Sequence, residues 1–64
     1  MEPATEDQIA YIQKLLVDHE DRDELSQIRS DKISKWDAST VIDSLLTDNW
    51  DEAENILRAS LEGK

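Results

Sequence analysis

Sixty-four residues with sixteen acidic against seven basic side chains carry a formal net charge of −9, with one His, one Gly, one Pro and no Cys. That length bounds the chain to one domain, 1–64, near the size at which a lone hydrophobic core becomes marginal, and the missing thiols exclude disulfide and thiolate-metal supports. The charge opposes direct nucleic-acid binding, which draws on Lys and Arg to neutralise phosphates, and it steers the chain toward a basic protein surface instead.

Residues 1–4 precede any helix signal and are expected to be disordered. Thr5 opens the first helix. Gln8 lies three positions on, the capping-box spacing, and Glu6 and Asp7 suit the positive end of the dipole. Ile9, Ile12 and Leu16 recur at three and four residues, flanked by Tyr11 and Leu15, which predicts an amphipathic helix running to about residues 17–19. The run Asp18-His19-Glu20-Asp21-Arg22-Asp23-Glu24 follows, charged everywhere but at His19. Leu25 and Ile28, three apart, predict a short helix or turn that pins this connector to the core.

Ser34 carries the clearest start signal. It can cap, Asp37 can reach back to it, and Ile33 with Ala38 can form a hydrophobic staple. Ala38, Val41, Ile42 and Leu45 make the stripe, and Leu46 widens it. Thr47-Asp48-Asn49 are cap and turn formers; Asp48 or Asn49 starts a last helix, with Asp51 or Glu52 in the capping-box position. Its stripe is Ala53, Ile56, Leu57, Ser60 and Leu61, and Gly63 is its expected stop. No breaker stands inside the chain and no strand-like alternation occurs. The expected class is all-α, a small three-helix bundle with an extra short helical turn.

The residues Gln8-x-x-Tyr11-Ile12-x-x-Leu15 and, after a spacer, Ile33-Ser34-Lys35-x-Asp37-Ala38-Ser39-x-x-Ile42-Asp43-x-Leu45 resemble a short helical module of bacteria and phages. That module occurs as small proteins and as a tail on DNA-metabolism proteins; the C-terminal interaction domains of phage single-strand annealing proteins look like relatives. The resemblance spans residues 5–46 and implies an interaction domain, of the kind that recruits a nuclease or a single-strand-binding protein. The spacer here is long and very acidic, and Trp36 stands where the pattern carries a small or polar residue. A second stretch, Asp48-Asn49-Trp50-x-x-Ala53-x-x-Ile56-Leu57, resembles the last helix of ubiquitin-associated domains, without the Met-Gly-Phe/Tyr loop with which those hold ubiquitin.

An active site needs an acid, base or nucleophile held with a partner in a cleft. One His, no Cys and no Gly-rich phosphate loop predict no enzyme, no catalytic residue and no cofactor. His19, at a helix end among carboxylates, should favour its charged form in a structural or solvated place. The acidic run lacks the glycine of an EF-hand loop and includes Arg22, so no metal site is expected and a solvated loop is the default. Those carboxylates, joined by Asp43, Asp48, Asp51, Glu52 and Glu54, could instead imitate phosphates for a basic groove. Trp36 and Trp50 are both expected to close the ends of the core; either one, if exposed, becomes an anchor for a partner. Arg29, Lys32 and Lys35, the one basic cluster, are expected to balance neighbouring carboxylates.

The leading functional expectation is a non-enzymatic protein–protein interaction module, an acidic helical surface that binds a protein of DNA metabolism or defence. Its candidate contact residues are Trp36, Trp50, Asp18, Glu20, Asp21, Asp23 and Glu24. The alternatives are a phage-type inhibitor that acts as a nucleic-acid mimic on a basic DNA- or RNA-binding enzyme, a ubiquitin-associated-like binding domain, and a homo-oligomer whose stripes complete one another's cores. The longest apolar run, Leu15-Leu16-Val17, is far too short for a membrane span. Glu2, Glu6 and Asp7 have the wrong sign for a secretory or mitochondrial leader, so a cytoplasmic location is expected.

Overall fold

Thr5 and Gln8 form the box that their spacing predicts. In the computed structural model, which describes residues 2–62, Gln8 N–H donates to Thr5 Oγ1 at 3.0 Å and Thr5 N–H donates to Gln8 Oε1 at 3.0 Å. This starts α1 (Glu6–Leu15). The helix stops earlier than its periodicity suggests. Past Leu15, Val17 N–H bonds to Lys14 O and His19 N–H to Leu16 O, three-residue spans that tighten the last turn. The tightening keeps Leu16 buried and leaves Val17 exposed. A short helix, α2 (Arg22–Leu25), then places Leu25 in the core, followed by Ile28, and Gln13 Nε2 ties α1 to this segment through Ser26 O at 2.9 Å.

Residues 2–4 differ from the expected disordered lead-in; Met1 lies outside the described residues. Ala4 N–H donates to Ile33 O at 2.9 Å and Lys35 N–H to Glu2 O at 2.8 Å, an isolated antiparallel bridge between Pro3 and Ser34. The physical reason is an orphan donor. Lys35 N–H belongs to the first turn of α3 (Lys35–Leu46), has no intrahelical partner, and finds one in Glu2. Pro3 sits at the bridge position that needs no N–H, and Ala4 is buried. A 3-10 turn (Ser30–Lys32) leads into this bridge.

Ser34 caps α3, its Oγ accepting from Asp37 N–H at 3.0 Å, but the reciprocal half of the box is not made. Ile33 and Ala38 are both buried, as a staple requires. The helix buries Ala38, Val41 and Leu45, with Ile42 half-buried; Leu46 is exposed and does not widen the stripe. Ser44, a residue that periodicity does not mark, is buried too, and its hydroxyl lies 3.4 Å from Glu52 Oε2.

The corner after α3 is a complete Schellman motif. Asp48 takes φ 61°, its N–H bonds to Leu45 O at 3.3 Å, and Asn49 N–H bonds to Ser44 O at 2.7 Å. Asp48 therefore ends α3, and Asn49 is the N-cap of α4 (Trp50–Leu61), with its side chain donating to Glu52 Oε2 at 3.0 Å instead of accepting from the backbone. The expected stop at Gly63 lies outside the described residues. α4 buries Ala53 and Leu57, with Trp50, Ile56 and Leu61 packed at the margin.

The result is a small all-α bundle in which α3 is shared, packing on α1 and on α4, while α2 leans on α4. Each fully buried Ile or Leu stabilises it by about 1.5–3 kcal/mol relative to exposure. Among the described residues no buried side-chain polar atom lacks a partner, and no helix is long and apolar enough to cross a membrane.

Candidate functional site

Trp36, the second residue of α3, is 82% exposed. The helix buries the face of Ala38, Val41 and Leu45, and an indole two positions before Ala38 projects roughly 200° around the axis from it. The backbone there is fixed by Ser34, by the Glu2 carbonyl and by Thr40 Oγ1, which donates to Trp36 O at 3.1 Å. Trp36 is thus a large apolar side chain on a rigid helix start. Shallow grooves lie on either side of it. One runs along α3 toward the start of α4, past Thr40, Asp43 and Thr47 to Glu52; the other is lined by Glu2, Gln8 and Lys35.

Trp50 has the opposite fate. It is half-buried against the core, and its ring stands 4.8 Å from that of His19, tilted by 47°. It closes one end of the bundle, as expected of it, and contributes little free surface. The two tryptophans are not brought together in one site.

The acidic connector is split in two. Asp21 and Glu24 turn toward α4 and meet Arg58, whose Nη2 donates to Asp21 Oδ2 at 2.9 Å and whose Nη1 donates to Glu24 Oε1. Arg58 Nε also donates to Glu54 Oε1 at 3.2 Å, an i,i+4 pair along α4. Asp18, Glu20 and Asp23 are exposed and pair with no cation among the described residues. Of the five acidic candidates, Asp21 and Glu24 are thus ion-paired and three are not, among the described residues. The Glu54 hydrogen bond above all holds the Arg58 proton more tightly than is ordinary for a guanidinium; burial opposes it, and the charges of Glu24, Glu54 and Asp21 add to it. A raised value means that the contribution is complete below the usual guanidinium range and is lost only at still higher pH, so alkaline pH does not open this clasp. Salt weakens it, because the pairs are partly exposed.

His19 completes the clasp. Its Nδ1 accepts from Asp21 N–H at 2.9 Å, and its Nε2 lies 3.2 Å from Glu54 Oε2. The ring thus ties the connector to α4 through both of its nitrogens. Side-chain atoms of His19, Asp21 and Glu54 all lie within 4.8 Å of one another, a spacing that metal ligands share. His19 Nδ1 is already taken by Asp21 N–H, and Arg58 already supplies positive charge to both carboxylates. The arrangement fits an internal clasp better than a metal site.

The basic cluster does not balance carboxylates by contact. Arg29, Lys32 and Lys35 are exposed, and none stands within ion-pair distance of a carboxylate among the described residues. Compared with protein-family models, with curated proteins and with solved structures, the chain matches none.

Proposed function

We propose that this chain is a non-enzymatic protein–protein interaction module whose anchor is Trp36 and whose acidic surface steers a basic partner. One observation carries the reading: the largest exposed apolar side chain stands on a helix start held by the Ser34 cap and the Glu2 carbonyl, at 82% exposure. A solvated Trp gains nothing for the fold, whereas Trp is enriched where binding energy concentrates. The surplus charge of −9 accelerates encounter with a positive surface. The likeness of residues 33–45 to the tails of DNA-metabolism proteins supports a partner from that class or from defence against foreign DNA.

The free carboxylates Asp18, Glu20 and Asp23 also lend themselves to imitating phosphates, but Arg58 takes up Asp21 and Glu24 and so breaks the row. This favours the Trp36 face as the principal contact. The test is capture of partner proteins from the source cytosol on the full chain, immobilised through a C-terminal tag. Trp36→Ser is expected to abolish capture and Val17→Ser, another exposed apolar position, to preserve it. Equal capture by wild type and Trp36→Ser would remove the anchor.

A further inference from the structure

The groove leading from Trp36 toward α4 carries charge of one sign. Thr40, Asp43 and Thr47 follow the indole at four, three and four residues and so share its face of α3; Glu52 stands across from them in the first turn of α4. Among the described residues no Lys or Arg lines this groove; Lys35 lines the one on the other side of the indole. Asp43 makes no ion pair among the described residues. Glu52 uses Oε2 for Asn49 and Ser44, which leaves Oε1 for a ligand.

An open indole face beside unpaired carboxylates recognises cations. The ring quadrupole attracts an ammonium or, more often, a guanidinium, and a carboxylate accepts a guanidinium in two parallel hydrogen bonds. Spacing adds a constraint. Trp36 and Asp43 are seven residues apart in one helix, about 10 Å along its axis. Residues three apart in a polyproline-type segment share one face, and their Cα atoms are separated by about the same distance, ~9 Å. Adjacent Cα atoms are only about 3.8 Å apart.

We infer that this groove takes a basic polyproline-type segment of a protein partner, with two arginine or lysine side chains three residues apart, the first stacked on Trp36 and the second held by Asp43 and Glu52. The inference rests on Trp36 as the partner anchor and adds the partner's chemistry.

General attraction to a net charge of −9 is the competing account, so the test uses ligands of equal charge. The 15N-labelled full chain is titrated with two Gly/Ser peptides, each with two arginines, placed three apart in one and adjacent in the other. The Trp36 indole N–H signal is expected to shift with the spaced peptide, which binds at least about threefold more tightly than the adjacent one. Trp36→Ala and the double variant Asp43→Asn, Glu52→Gln are each expected to weaken the spaced peptide by at least about fivefold. Trp36→Phe, which keeps a π face, recovers part of that loss. The double variant Asp31→Asn, Glu62→Gln makes the same charge change elsewhere, at two exposed carboxylates, and is expected to alter binding by less than about twofold. Equal affinity for the two peptides, or an equal loss in the Asp31, Glu62 variant, overturns the inference in favour of diffuse attraction. If it is overturned while Trp36→Ser still abolishes partner capture, the anchor stands and only the cationic ligand is wrong; if capture also survives Trp36→Ser, both fall.

Discussion

Trp36 and Trp50 both stand at the first or second position of a helix, each just after a capping residue, yet one is solvated and the other wedged against His19 and the core. The difference is angular phase. Trp50 precedes Ala53 by three residues and Leu57 by seven, so all three lie on one face of α4. Trp36 precedes Ala38 by two and Val41 by five, which puts it on the far side of α3. Proximity to a cap therefore says little about burial, and phase relative to the stripe says nearly everything. A tryptophan in phase is structural; one out of phase is free to be used.

The largest break in this comparison comes from truncating the buried ring. Trp50→Ala is expected to destabilise the fold by roughly 2–3 kcal/mol, below the cost of a fully buried indole because Trp50 retains some exposure. Chemical denaturation measures it, with Trp36→Ala as the counterpart expected to fall within about 0.5 kcal/mol of wild type. If the two variants cost the same, the phase argument fails. Next comes the clasp that holds the connector beside Trp50. Arg58→Gln should increase amide exchange and proteolytic nicking across residues 18–24, and added salt should reproduce part of that in the wild type while leaving Trp36 unaffected. Unchanged protection there would mean that Arg58 does not order the segment. The smallest effect sharpens the corner between the two helices. Asp48 holds a left-handed backbone that glycine adopts without a Cβ penalty, so Asp48→Gly should stabilise by about 0.5–1 kcal/mol, read as a shift in melting temperature.

Much of the fold could be read from local spacing. The Thr5–Gln8 box, the Ser34 cap, the Ile33–Ala38 staple and the pinning of the connector by Leu25 and Ile28 are all short-range signals, and the structure contains each in whole or in part. The exposure of Trp36 overturns the expectation that it closes an end of the core; its distance to Ala38, out of phase with the stripe, is the physical reason. The clasp was not legible from local spacing. Glu54 and Arg58 stand four apart and announce a pair along α4, but nothing local tells Arg58 to reach Asp21, 37 residues away in sequence, or Glu24, 34 away. The bridge to residues 2–4 escaped for the same reason, since it satisfies a donor of α3 from the opposite end of the chain. Long-range polar contacts depend on the packed geometry, which periodicity does not encode.

That bridge has a practical side. By pairing Glu2 with Lys35 it delivers the chain's leading end to the foot of the exposed indole, so whatever is fused there becomes its neighbour. An affinity handle at the amino end would crowd the indole and could pass for a missing ligand or hide a real one. The same adjacency makes the amino end a convenient place for a reporter dye, whose emission would register occupancy of the adjoining surface without altering any side chain of the bundle.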